Sequence, residues 1–428
     1  MMKKGLVNIV GTMTAIILLL PSCENDNITL QDPNDLHQES IDENTDDSLV
    51  NTESPKENED TVVVDSYTED YVEPDTIIGE IENNENDMKV NNSAEESSLS
   101  ISVPSEDEFD FHYDAAIDGA VITKYNGNEK EIRLPEKLGD DPVKGISEGA
   151  FKYVKYVEVP DTFTVIQSCA FKNCEYLERV VLPDSIIEIQ EEAFSHCEKL
   201  EYVNIPEGIQ SISEETFYYC RSLNGIVIPD GVTSIGERAF CECEALTEIR
   251  IPESVIDIGE DAFAWCYKLK NVVIPMGIEK IPDDMFSECR ELEEVLIPDT
   301  VTTIGKRAFN GCKMMESIQI PEGVTQIGCY AFGDSGLKSI IIPSGVTIID
   351  EGLFTGCDML EEVILHDNIK EISEYSFNDC IKLRELDIPD GVERISSLAF
   401  AFGCEGLTVT YKGKKYNYTN IDEITSRW

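Results

Sequence analysis

Apolar and polar positions along this chain repeat with a period of 23 residues over most of its length. One unit shows the pattern: Leu200-Glu-Tyr-Val203-Asn-Ile205-Pro206, then Ile209, Ile212, Thr216-Phe217 and Cys220. The spacing Leu-x-x-Val-x-Ile alternates apolar and polar side chains, which predicts a short strand with one buried face. Pro206 cannot donate to a ladder, so it ends that strand and turns the chain. A second extended stretch follows, as in Val232-Thr-Ser-Ile235-Gly236, and Glu237-Arg-Ala239-Phe240 predicts a helical or 3₁₀ return. Phenylalanine marks each unit at Phe151, Phe171, Phe194, Phe217, Phe240, Phe263, Phe286, Phe309, Phe332, Phe354, Phe377 and Phe400. A fixed period of this size specifies a solenoid, whose turns bury their apolar faces by stacking on one another.

The repeated unit, Leu-x-x-Val-x-Ile-Pro-(Asp/Glu)-Gly-Val-x-x-Ile-Gly-x-x-Ala-Phe-x-x-Cys, resembles the BspA-type leucine-rich repeat of bacterial surface proteins. Residues 221–240 and 313–332 follow it almost position by position. The segment from Phe109-Asp-Phe-His-Tyr113 to Gly149-Ala-Phe151 resembles that family's start, and Thr408-Val-Thr-Tyr411-Lys-Gly413-Lys-Lys-Tyr416 its closing strands. The resemblance spans roughly 108–420. It implies surface-exposed adhesion or binding modules, often lipid-anchored, without shared catalytic residues. The expected fold class is an α/β repeat: a β-rich leucine-rich-repeat solenoid of short strands and 3₁₀ or short helical returns, preceded by a disordered acidic tether.

Five segments are expected. Residues 1–22 read as a signal peptide, with Lys3 and Lys4 before the apolar run Ile16-Ile-Leu-Leu-Leu20. Pro21-Ser22-Cys23 then reads as a lipoprotein cleavage site with Cys23 as the lipid anchor; a plain cleaved signal is the alternative. Residues 24–107 form a disordered acidic linker, with 26 acidic and two basic residues and too few large hydrophobics to build a core. An N-terminal cap occupies 108–145, the solenoid 146–407, and closing strands 408–428.

Charge narrows the partners. The chain carries −52, of which −30 lies beyond the linker. Such a surface does not neutralise phosphates, so nucleic acid is excluded as a partner. It does not adhere to anionic lipid either, leaving the N-terminal anchor as the one expected membrane contact.

Of the 14 cysteines, ten fall in one column, Cys174, Cys197, Cys220, Cys243, Cys266, Cys289, Cys312, Cys357, Cys380 and Cys404. Side chains on parallel rungs stay about 4.8 Å apart, whereas a disulfide needs Cβ atoms about 3.8 Å apart. The column is therefore expected to be a buried stack of reduced thiols. Cys329 lies outside it, on what reads as an exposed, reactive turn. Cys241-Glu-Cys243 with Cys220 and Cys266 offers a metal alternative, but a flat ladder presents its thiols in a line rather than a tetrahedron. No metal or other cofactor is expected. The histidines (His37, His112, His196, His366) form no H-E-x-x-H motif, and no phosphate loop or G-x-S-x-G elbow occurs. An enzyme is not expected.

The remaining candidate is the outer face of the strands. The column after the buried Val reads Val181, Asn204, Val227, Arg250, Val273, Leu296, Gln319, Ile341, Ile364 and Asp387. Six of these ten are aliphatic, which makes a ribbon suited to a protein partner, or simply to strand propensity. Val227, Arg250, Val273, Leu296, Ile341, Ile364 and, in the adjacent column, Tyr202 are the candidate ligand-binding residues. Tyr218, Tyr219 and Trp265 on the return side form a second aromatic group. The expected function is non-enzymatic adhesion or recognition of an extracellular or cell-envelope protein or glycan. The alternative is a structural envelope component that self-associates through the sheet face.

Overall fold

The computed structural model describes residues 101–425. The expected leader, Cys23 and residues 24–100 of the acidic segment lie outside the described residues. The last residues before 108 are built into the fold: Ser102 pairs with Ile132, and Glu106–Glu108 forms a 3₁₀ turn. Residues 101–107, expected as linker, therefore belong to the fold. The physical reason is local, since the Ser102 carbonyl accepts the Arg133 N–H at 3.0 Å and the Ser105 N–H donates to the Glu108 carboxylate at 3.0 Å.

Phe109–Asp114 pairs antiparallel with Gly119–Tyr125, which pairs in parallel with Asp141–Ile146. This hairpin covers the first turn of the stack. The parallel ladder itself begins at Glu131–Arg133, followed by Tyr156–Glu158, Arg179–Val181 and Tyr202–Val203 in one sheet. Asn271–Val273 with Glu294–Leu296, Ser339–Ile341 with Glu362–Ile364, and Glu385–Ile388 with Thr408–Tyr411 continue the same face. The strand Lys414–Asn417 closes it antiparallel. A second set of two-residue strands, such as Ser211–Ile212, Ser234–Ile235 and Asp257–Ile258, forms a second parallel ladder at the position of the Val-x-x-Ile stretch.

The returns differ from the expected helical or 3₁₀ segments. In the repeat of Phe240, the N–H groups of Ala239, Cys241 and Cys243 donate to the carbonyls three residues back. The alternate N–H groups, of Arg238, Phe240 and Glu242, leave the turn and donate to Glu260, Ala262 and Ala264 of the next rung, at 3.0, 2.9 and 2.9 Å. A helix cannot do this, because all its N–H groups point along its own axis. Alternation requires backbone reversal, and the reversal is visible: the residues two before and two after Phe240, Arg238 and Glu242, have φ of +50° and +59°. The same pair recurs around every marker phenylalanine from Phe171 to Phe377. The returns are thus a third ladder.

Inside the three ladders lies one core. The twelve marker phenylalanines stack ring on ring, with centroids from 5.1 Å (Phe171–Phe194) to 6.1 Å (Phe332–Phe354) apart. That is within the range of offset stacking. Phe151 to Phe377 are fully buried. The cysteine column lies beside the rings, and its thiols do more than fill space. Each from Cys197 to Cys312 donates to the carbonyl of the phenylalanine one rung back, at 3.0 to 3.3 Å. Cys357, Cys380 and Cys404 do the same. Within the column, the rung of Phe332 places Ser335 where the others have cysteine, in contact with the Cys357 sulfur at 3.4 Å.

All cysteines among the described residues are free. Burial pushes the ladder thiols from Cys197 to Cys404 above their usual range, Cys357 and Cys404 to about 12. Cys329 corrects the expectation of an exposed turn, being only 5% exposed. At its position in other rungs, Glu260 and Lys306 extend outward, whereas the short Cβ–Sγ arm stays between rungs. Cys169 is the more exposed thiol.

Two predictions follow from stacking. Deleting one rung, residues 221–243, should leave a folded soluble protein, because coupling is mainly between neighbours. Phe263→Ala should cost about 3–5 kcal/mol in chemical denaturation by opening a cavity in the stack. A deletion that abolishes folding while Phe263→Ala is silent contradicts the repeat architecture. For the thiols, alkylation of the native protein should label Cys169 first and the column hardly at all, with full labelling in denaturant. Five or more disulfides in intact protein by mass spectrometry would overturn the reduced stack.

Candidate functional site

The strand face is built by alternation: Val203, Val272, Val295, Ile340 and Val363 point inward, so their neighbours face out. The face is sectioned. Among the described residues, 224–228, 247–251 and 316–320 carry no strand pairing. Asn204 begins the first break. Its Oδ1 accepts the Leu182 N–H and its Nδ2 donates to the Leu182 carbonyl, both at 2.8 Å. The side-chain amide thereby satisfies groups that a continuing strand would have used, next to Pro206, which has no N–H to offer.

The structure places the candidate residues along this sectioned face. Tyr202 is half-buried, with the Arg179 guanidinium carbon 3.9 Å from its ring centre. Val227 and Arg250 fall in the unpaired stretches, and Arg250 Nη1 donates to Asp230 Oδ1 at 2.8 Å. Val273 and Leu296 are direct cross-strand partners, both half-buried. Ile341 and Ile364 are also partners and far more open, at 63% and 43% exposure. Ile364 also borders a groove. This shallow groove of about 590 Å³ runs from Ile364 across Glu361, Glu362 and Leu365 to Arg384, Glu385 and Asp387. Arg384 follows the buried Leu383 and immediately precedes the strand Glu385–Ile388. Only folding shows that it borders Ile364.

The return side carries charge and aromatics. One left-handed column reads Glu215, Arg238, Asp261, Asp284, Arg307. Arg238 lies 3.5 Å from Glu215 and 3.7 Å from Asp261, and Arg307 grips Asp284 with two bonds of 2.7 and 2.8 Å. Asp261 and Asp284 are neighbours of like charge. Burial, and then the Asp284 charge, push the Asp261 carboxyl up to about 6. The other column brings His196 to 4.7 Å from Tyr219 and 5.3 Å from Tyr218. Trp265 does not join that group. It stands edge-on to Tyr267, at 6.1 Å. Among the described residues, no group of three His, Cys, Asp or Glu side chains is disposed to hold a metal ion.

Asp261 generates a pH prediction. Its folded value lies above the roughly 3.9 of an unfolded aspartate, so its ionisation opposes folding. The penalty is full above pH 6 and fades as pH falls toward 4. Asp261→Asn should therefore stabilise the protein at pH 7.5 by about 1 kcal/mol, after discounting for partial exposure, and scarcely at pH 4. Equal or lower stability of the variant at pH 7.5 in urea titrations contradicts the repulsion.

A family model for the BspA type leucine rich repeat region matches in six copies, over residues 144–270, 210–315 and 279–408. No curated protein matches the chain. Among solved structures, a leucine-rich repeat protein from Bacteroides ovatus is 25% identical, covering 74% of this chain and 89% of its own, with a TM-score of 0.49. A leucine rich cell surface protein from Faecalibacterium prausnitzii is 28% identical over 78% of this chain and 100% of its own, with a TM-score of 0.46. The T. pallidum leucine rich repeat protein is 31% identical over 50% and 91%, with a TM-score of 0.39.

Proposed function

The chain belongs to the BspA-type leucine-rich repeat family, and from that premise we propose that it is a surface recognition protein whose strand face binds an extracellular or envelope protein. Proteins of this family are typically found at the bacterial cell surface, and leucine-rich repeats generally serve as non-enzymatic scaffolds for protein interaction. Recognition without chemistry is the corresponding role here. The leader and Cys23 supply the means of display: lipidation at Cys23 would hold the solenoid at the membrane on its acidic segment.

The observation that carries the reading is the Ile341–Ile364 pair beside the groove. Two exposed aliphatic side chains on adjacent rungs give an apolar anchor point, and the groove next to them is lined by four carboxylates and one arginine. Such a combination favours a partner that offers an apolar side chain flanked by basic groups. The half-buried Val273–Leu296 pair is available as a secondary contact on the same face.

Pull-down of cell-envelope and extracellular-matrix proteins with the full chain should identify the partner. Ile341→Lys with Ile364→Lys should weaken its binding at least tenfold while shifting stability by less than about 1 kcal/mol. Glu260→Lys with Lys306→Glu, on the return side, keeps the net charge and should leave binding unchanged. Wild-type binding by the isoleucine pair, with loss in the return-side pair, would move protein recognition to the opposite flank. Concentration-dependent light scattering that the isoleucine pair abolishes would favour the self-associating envelope component instead.

A further inference from the structure

The left-handed column two residues after each marker phenylalanine is not filled as its backbone would dictate. Positive φ favours glycine and tolerates asparagine and aspartate, and is strained for bulky side chains. Five rungs comply, with Asn173, Gly311, Asp334, Gly356 and Asp379. Five consecutive rungs between them carry His196, Tyr219, Glu242, Trp265 and Glu288, all at φ between +59° and +64°, and of these only histidine is a type enriched at positive φ. None of these five side chains is among the buried core residues. Trp265 projects outward at 40% exposure. The column two residues before each phenylalanine also holds long side chains at positive φ, such as Glu192, Arg238 and Arg307, so what sets these five rungs apart is the run of aromatic and carboxylate side chains that ends outward in Trp265.

The surface has a definite chemistry. His196 and Tyr219 pack against each other, and the Arg221 guanidinium carbon lies 4.0 Å from the Tyr219 ring centre. Arg221 reaches Glu242 at 3.3 Å and Glu244 at 3.0 Å. Two rungs beyond Tyr219, about 10 Å along the stack, stands Trp265. Tyr267 beside it is covered by Arg290, which is itself fixed to Glu288 at 2.9 Å. Aromatic faces thus alternate with carboxylates and guanidiniums held in place by one another. We propose that this flank is a carbohydrate-binding site, taking an uncharged oligosaccharide along the stack axis, with a sugar ring on the Trp265 face. A pyranose offers an apolar C–H face to an aromatic ring and hydroxyls to the flanking charged groups. The arginines are already paired with acids, so sulfated or uronic glycans gain no free cation and meet a negative surface. The site lies away from the strand face and stands or falls independently of it.

The test is a glycan array probed with the purified full chain, followed by titration of the hits by intrinsic fluorescence and calorimetry. Binding of neutral oligosaccharides is expected, with a change in tryptophan emission. Trp265→Gly separates function from structure. Because glycine suits φ of +63°, the variant should melt at or above the wild-type temperature while losing at least tenfold in affinity. Glu242→Gln should weaken binding several-fold without unfolding the protein. A marked fall in melting temperature for Trp265→Gly would assign the indole a structural role and overturn the proposal. So would an array without neutral hits, binding confined to sulfated or uronic glycans, glycan affinity unchanged in Trp265→Gly, or loss of a protein partner rather than a sugar in that variant.

Discussion

The structure rests on the alternation of backbone N–H groups in the returns. A turn that bonded only to itself would be a helical segment, free to rotate against its neighbours. Here every second N–H, as at Arg238, Phe240 and Glu242, is committed to the following rung. This fixes the spacing and orientation of consecutive returns and forces the phenylalanine side chains into one continuous stack. The thiols complete the arrangement, since each from Cys197 to Cys312 donates to a phenylalanine carbonyl that also accepts the N–H of the cysteine three residues after that phenylalanine. Buried acceptors are thus satisfied without water, as a narrow apolar interior requires. The cost is backbone strain at two left-handed residues per rung.

Much of this was legible in the sequence. The period, the inward columns of Leu, Val, Ile and Phe, and the closing proline follow from strand alternation and from what proline cannot do, and the structure has them where the pattern puts them. The cysteine column was legible as a buried stack on geometric grounds. Its hydrogen bonds to the carbonyls one rung back were not, because they depend on the exact offset of successive turns. The returns misled for a related reason. Glu237-Arg-Ala-Phe reads as a helix start, and nothing in Arg238 or Glu242 announces positive φ, since the next rung imposes it. Cys329, outside the cysteine column, read as part of an exposed turn, yet it is 5% exposed where Glu260 occupies the same position in the open.

The candidate sites were legible to different depths. Alternation correctly placed Val273, Leu296, Ile341 and Ile364 on the outer strand face, but not the degree of their exposure. Nor did it reveal that Asn204 would take over the hydrogen bonds of Leu182 and break the sheet. Arg384 and the groove next to Ile364 depend on contacts between rungs. On the return side, the aromatics were visible as residues, but which of them pack together, as His196 does with Tyr219 and Trp265 with Tyr267, depends on the offset between rungs. The two flanks also differ electrostatically. The groove leaves four carboxylates around one arginine, whereas on the return side arginines and acids are largely matched.

The central claim is that the returns form a third hydrogen-bonded ladder as firm as the strands. Native-state amide hydrogen exchange resolved to single residues measures this directly. The account predicts that the amides of Arg238, Phe240 and Glu242, and of their equivalents in neighbouring rungs, exchange as slowly as those of Ile235 and Ile258 in the second ladder. Exchange of these amides at the rate of exposed loop residues, while the strand amides remain protected, would contradict it.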